Sequence, residues 1–187
     1  MEVPLKRIGI FAGTFDPLHN GHIEFAKAAA KKYQLDKVFL APERNPRNKT
    51  NVAPYQDRLN MLKLVLESSK NLEILEVPEA YFTVASSWPR LKKTFGEAEI
   101  FLLLGSDSAR QLPKWQNLSK LKNEAQFIIG LRNEDRAEEL NHVNGLKIHF
   151  LKSPKAGITA SQVRNNKDDS LTDPKVISYI RQHKLYN

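Results

Sequence analysis

Two histidines three residues apart, His19 and His22, flank a glycine in the run Gly13-Thr14-Phe15-Asp16-Pro17-Leu18-His19-Asn20-Gly21-His22. Imidazoles at that spacing on the first turn of a helix point the same way. A helix start also carries unpaired backbone N–H groups and a partial positive charge. The chemistry implied is the gripping of phosphate oxygens, with Gly21 keeping side-chain bulk away from the space between the rings. The plain alternative is a Gly/Pro/Asn turn bearing two surface histidines.

Three further segments have residue types suited to anions. Residues 42–50 hold Arg44, Arg47 and Lys49 along with two prolines, a loop able to close over a phosphate-rich ligand or to remain solvated surface. Leu104-Gly105-Ser106-Asp107-Ser108 offers a glycine for close backbone approach and an aspartate that can accept from ribose hydroxyls or a metal's water. By itself that stretch also reads as a turn with an N-cap. Pro113-Lys114-Trp115 follows, with an indole that suits either a planar ring or the core. Residues 157–164, Gly157-Ile158-Thr159-Ala160-Ser161-Gln162-Val163-Arg164, place hydroxyls at a helix start with an arginine one turn on. They form either a second phosphate-binding helix terminus or an ordinary capped helix.

These segments need elements to position them. Apolar runs of strand length fall at 7–12, 37–41, 72–77, 99–105, 126–131 and 146–151. Near-continuous Ile, Leu, Val and Phe in such runs mark parallel strands covered on both faces. Helical patterns alternate with them at 21–33, 55–68 and 86–95, with a shorter one around 118–123. In the second, Leu59, Leu62 and Leu66 line one stripe. Asp173 followed by Pro174 predicts the N-cap and first position of a last helix, reaching to about Lys184 and carrying no chemistry itself. The alternation implies right-handed crossovers and a Rossmann-like α/β fold, a doubly wound parallel sheet flanked by helices. Ligands of such sheets bind at the carboxyl ends of the strands, where the His19/His22 turn lies.

The 187-residue length predicts a single domain, 1–187. No apolar run approaches a membrane span or a signal-peptide core, so a cytoplasmic protein without membrane contact is expected. The absence of cysteine removes disulfides and thiolate zinc sites from consideration. A net charge of +8 suits either a nucleic-acid backbone or small polyanions such as nucleotides. Most of the excess sits in short scattered groups such as Lys31-Lys32 and Lys92-Lys93, which read as solvated helix faces.

The 13–22 run resembles the signature of the adenylyl- and cytidylyltransferase superfamily. Over residues 8–186 the chain is similar to the bacterial nicotinate-nucleotide adenylyltransferases. Gly105-Ser106-Asp107-Ser108 with Leu112-Pro113-Lys114-Trp115, residues 158–164, and Tyr179-Ile180-Arg181 with Leu185-Tyr186 carry that likeness.

The resemblance implies adenylyl transfer from ATP to nicotinate mononucleotide, giving nicotinate adenine dinucleotide and pyrophosphate, with Mg²⁺ screening the triphosphate. It makes His19, His22, Lys49 and Arg164 the catalytic set, with no protein metal ligand. ATP would be held by Gly13, Thr14, Phe15, Gly105, Asp107, Ser161 and Arg164, and the mononucleotide by Thr83, Trp115 and Arg132. Residues 157–187 would then be a C-terminal helical segment completing the phosphate site. ATP and nicotinate mononucleotide are the implied partners; nucleic acid is not expected, and self-association is left open. The chain departs from the family pattern at Ala12, at Asn48 before Lys49, at Thr159-Ala160 and in the ring-holding segment 81–87. Two other readings stay open: a sister enzyme using nicotinamide mononucleotide or another phosphate acceptor, and a catalytically silent nucleotide- or nucleic-acid-binding protein.

Overall fold

In the computed structural model, residues 6–47, 49–140, 143, 145–165 and 168–186 are described. Asn48, one of the departures above, lies outside them. The strands are β1 (Arg7–Gly13), β2 (Lys37–Pro42), β3 (Leu72–Ile74), β4 (Glu99–Gly105), β5 (Ala125–Leu131) and β6 (Lys147–Lys152). They pair in parallel as one six-stranded sheet of order β3-β2-β1-β4-β5-β6. This is the doubly wound order, and its direction reverses between β1 and β4, the crevice where such sheets bind ligands.

Alternate side chains of each strand feed two apolar layers, as the pleat requires. Ile8, Ile10, Ile100, Leu102, Leu104, Phe127 and Ile129 pack on one face with Trp88 and Leu91 of helix α3 (Ser87–Phe95). Phe11, Val38, Leu40, Phe101, Leu103 and Ile128 pack on the other. There they meet Ile23, Phe25, Ala26 and Ala29 of α1 (Asn20–Lys32) and Leu62 and Leu66 of α2 (Tyr55–Leu66). Each fully buried side chain of this size is worth about 1.5–3 kcal/mol relative to exposure. No helix among the described residues is long and apolar enough to cross a membrane.

Several expected boundaries move. The third strand, expected over 72–77, ends at Ile74: the Leu75 N–H still donates to the Leu40 carbonyl, but β2 closes on Pro42, which has no N–H to extend the ladder, and farther on the Val77 carbonyl accepts from Arg44 Nε. The helix expected around 118–123 is a 3₁₀ turn, Leu118–Leu121. Three residues per turn puts Leu118 and Leu121 on one side, and both are buried. The second helix stops at Leu66 rather than residue 68, and the last, α6 (Pro174–Gln182), stops short of Lys184. The Asp173 side chain accepts from the Lys175 N–H, and Pro174 opens the helix as expected.

Candidate active site

The turn from β1 into α1 is built on Phe15, which adopts a left-handed φ of 49° and is nevertheless buried. A bulky residue in that conformation persists only where packing over-determines it. Here the Phe15 ring meets Phe11 edge-on at 5.3 Å and His22 at 5.1 Å. His19, the residue just before α1, stacks on His22 with ring centroids 3.6 Å apart. The His19 backbone N–H donates to His22 Nδ1 at 3.3 Å. That bond leaves Nε2 as the protonated nitrogen of a neutral His22.

Both rings are held neutral. Burial, helped by the charge of Arg132, lowers the His19 pKa to about 4. Burial, His19 and Lys49 hold His22 well below its ordinary value. His19 Nδ1 is buried without a hydrogen-bond partner among the described residues. A Cβ on Gly21 would come within 3.0 Å of that same nitrogen and 3.1 Å of the Lys155 carbonyl oxygen. Glycine is therefore demanded by space between two chain segments, a stricter reason than the sequence alone supplied.

Residues 157–164 do fold against this turn. Arg164 Nη1 donates to the Asp16 carbonyl at 2.6 Å, and Nη2 donates to Ser161 Oγ at 3.1 Å. The segment's helix, α5 (Ala160–Asn165), is only six residues long. Thr159 and Gln162 cap it reciprocally, the Thr159 N–H donating to Gln162 Oε1 at 2.7 Å and the Gln162 N–H to Thr159 Oγ1 at 3.2 Å. The start of α5 is short and partly self-satisfied, with the Ser161 and Arg164 side chains as further donors beside it.

Around the crevice, Gly105 ends β4, and a Cβ there would meet nothing within 4 Å, which leaves open space at the strand's carboxyl end. Asp107 is exposed in the short α4 (Ser106–Ala109) and pairs with Arg132 at 2.7 Å and Arg110 at 3.4 Å. Lys49 is exposed in the loop after β2. Gly13 ends β1, with the buried Thr14 next.

Thr83 and Trp115 belong to a second group. Thr83 Oγ1 shares a 2.6 Å hydrogen bond with Ser86 Oγ and accepts from the Ser86 N–H, so its hydroxyl serves the entry to α3. Trp115 packs partly buried against the core, with the Phe82 ring 5.6 Å away and tilted by 40°.

The roles of three residues of this architecture escaped the sequence reading. Asp16 lies inside the signature yet is buried as a junction for Ala53, Arg164 and Tyr186. Arg58 is 1% exposed. Its place on the Leu62/Leu66 stripe of α2 was a legible signal, a charge on a buried helical face. Tyr186 sits 170 positions from Asp16, beyond the reach of any local pattern.

The chain matches the cytidylyltransferase-like family over residues 10–166. It is 32% identical to the nicotinate-nucleotide adenylyltransferase of Bacillus subtilis, covering 97% of this chain and 99% of that one. A probable nicotinate-nucleotide adenylyltransferase of Dictyoglomus thermophilum is 35% identical, covering 96% and 99% of the two chains. The chain belongs to the nicotinate-nucleotide adenylyltransferase family. Its fold is similar to that of a Plasmodium falciparum nicotinic acid mononucleotide adenylyltransferase complexed with NaAD, with a TM-score of 0.80 at 22% identity over 97% of each chain. The matched span of this adenylyltransferase-family chain holds both histidines, Lys49, Trp115 and Arg164, whereas Tyr186 lies past it.

Proposed function

We propose that this protein transfers the adenylyl group of ATP to nicotinate mononucleotide, releasing pyrophosphate and nicotinate adenine dinucleotide, in the cytoplasm. The observation that carries the reading is the neutral, stacked His19/His22 pair at the carboxyl end of β1, with Arg164 bonded to the same turn.

The mononucleotide's phosphate is already anionic near neutral pH. One of its oxygens attacks the α-phosphorus of ATP in line; that P–O bond forms as the bond to the bridging α–β oxygen breaks, and pyrophosphate leaves with the electron pair. No strong base is required, so the protein's work is orientation and charge stabilisation. His22, protonated on Nε2, donates to a phosphate oxygen, and His19 acts beside it. Ser161 and Arg164 hold the β- and γ-phosphates, Lys49 adds charge from its loop, and Arg132 serves the mononucleotide. The Gly13-Thr14-Phe15 turn and the open space at Gly105 accommodate the ATP backbone, with Asp107 toward its ribose. Trp115 and Thr83 serve the pyridine side, Phe82 joining Trp115 there as an aromatic wall.

Among the described residues, no group of three or more His, Asp or Glu side chains is placed to hold a metal ion. Asp16 and Asp107 both face arginines. That donor set fits a Mg²⁺ carried in by the triphosphate, held by phosphate oxygens and water, rather than one held by a protein cage. When bound it would screen the triphosphate charge.

The test is pyrophosphate release from ATP and Mg²⁺ with nicotinate and nicotinamide mononucleotides offered separately. Release with nicotinate mononucleotide, matched by dinucleotide formation, is expected. Release only with another acceptor moves the substrate, and no release with any acceptor overturns the reading.

A further inference from the structure

Asp16 Oδ1 accepts two hydrogen bonds from neutral donors, the Ala53 N–H at 3.1 Å and the Tyr186 hydroxyl at 2.6 Å. Oδ2 lies 3.6 Å from Nη1 of Arg164. That same Nη1 instead donates to the Asp16 backbone carbonyl at 2.6 Å. A guanidinium beside a buried carboxylate ordinarily closes into a short fork-to-fork pair, two parallel bonds that consume both oxygens and neutralise the charge. Here the pair stops short, and one of the two oxygens it needs is already occupied.

We propose that Tyr186 is a positioning residue for Arg164: by saturating Asp16 Oδ1 it prevents the carboxylate from capturing the guanidinium, which stays turned toward bound phosphate. The inference rests on the triphosphate role given to Arg164 above. The Tyr186 ring lies 5.9 Å from Arg164 Cζ, so the phenol also walls one side of the cation. Burial, reinforced by the Asp16 carboxylate, raises the phenol well above its ordinary pKa and keeps it a donor.

The segment that delivers Tyr186 is anchored independently of that hydroxyl. Asn20 Nδ2 donates to the Ser170 carbonyl at 2.9 Å, and the Thr172 hydroxyl to the Leu18 carbonyl at 2.7 Å. In α6 the Tyr179 hydroxyl donates to Asp57 at 2.9 Å and accepts from Asn60 at 2.9 Å. Removing the single oxygen of Tyr186 therefore leaves the segment docked.

The test is a double-mutant cycle on ATP affinity with the full chain. ATP binding is measured by calorimetry, and the KM for ATP and for the mononucleotide are measured separately. Tyr186→Phe should weaken ATP binding about tenfold, a readily resolved difference in affinity. The mononucleotide KM should be unchanged and the circular dichroism that of the parent. In an Arg164→Ala background the same change should have no further effect. An equal loss with and without Arg164, a loss confined to melting temperature, or ATP binding by the parent too weak to measure would each overturn the proposal. Calorimetry needs no turnover, so a parent that binds ATP but releases no pyrophosphate fails the adenylyl-transfer reading and still decides the role of Tyr186.

Discussion

Arg58 and Thr14 are joined by a 2.6 Å hydrogen bond from the Arg58 guanidinium to the Thr14 carbonyl. The same side chain donates to the carbonyls of Ala53 at 3.0 Å and Glu43 at 2.8 Å. One buried cation thus ties the signature turn to the loop after β2 and the entry to α2. Arg58→Met should destabilise the protein by about 3–5 kcal/mol, since it strands the Thr14, Ala53, Glu43 and Arg44 carbonyls and leaves Asp16 with less compensating charge. Urea unfolding measures this, and a midpoint within error of the parent would show that the turn is held by other means.

His19→Ala removes a ring whose Nδ1 has no partner among the described residues, so folding should survive. Loss of one preorganised donor at a transferring phosphoryl group lowers turnover by about 10²–10³-fold. Steady-state kinetics beside a thermal melt separates the two effects, and near-parent turnover would remove His19 from the mechanism.

Acid should weaken the fold in a window set by the histidines. In the unfolded chain His19 titrates near 6.5, and in the folded chain near 4. Between those values the unfolded state binds more protons, so stability is full above about pH 6.5 and falls as pH drops toward about 4. His22 and His149, both lowered chiefly by burial, act in the same direction. Glu43, raised by burial, opposes them. Asp36 and Asp135, both lowered, contribute losses only in more acidic solution. Urea midpoints at pH 7.5, 6 and 5 should decline in the parent and flatten in a His19→Gln/His22→Gln variant. An equal decline in both would assign the slope elsewhere.

The Phe82–Trp115 pair should govern the mononucleotide more than ATP. Trp115→Ala is expected to raise the mononucleotide KM by about tenfold or more, with the ATP KM little changed. A cycle with Phe82→Ala should show coupling of about 0.5–1.5 kcal/mol, the usual range for contacting rings. A loss confined to ATP affinity would sink the assignment.

What the sequence makes legible is whatever is local. β1, β4 and β5 announce themselves because both of their faces are buried, leaving long apolar runs. The doubly wound order follows from alternation and handedness. His19 and His22 are readable because their spacing is that of one helical turn. Illegible were features decided by distant partners. β3 ends early where its neighbour β2 closes on Pro42, which has no N–H to offer, and Thr83 spends its hydroxyl on Ser86. The neutrality of His19 depends on burial and on Arg132, more than a hundred positions away. Arg58 stood in plain view on an apolar stripe, yet its four carbonyl acceptors come from two separate loops, the β1–α1 turn and the β2–α2 connection.

The bonds from Arg164, Thr172 and Tyr186 back to residues 16–18 span 148, 154 and 170 positions. A protein is synthesised in one direction, so the signature turn leaves the ribosome long before any of these partners exists. Closing loops that long carries an entropic cost that local contacts avoid. The nascent chain therefore holds its histidines in an unlatched turn until almost its whole length has emerged. Premature termination anywhere before residue 164 would yield a chain with the recognisable motif and none of these three C-terminal partners.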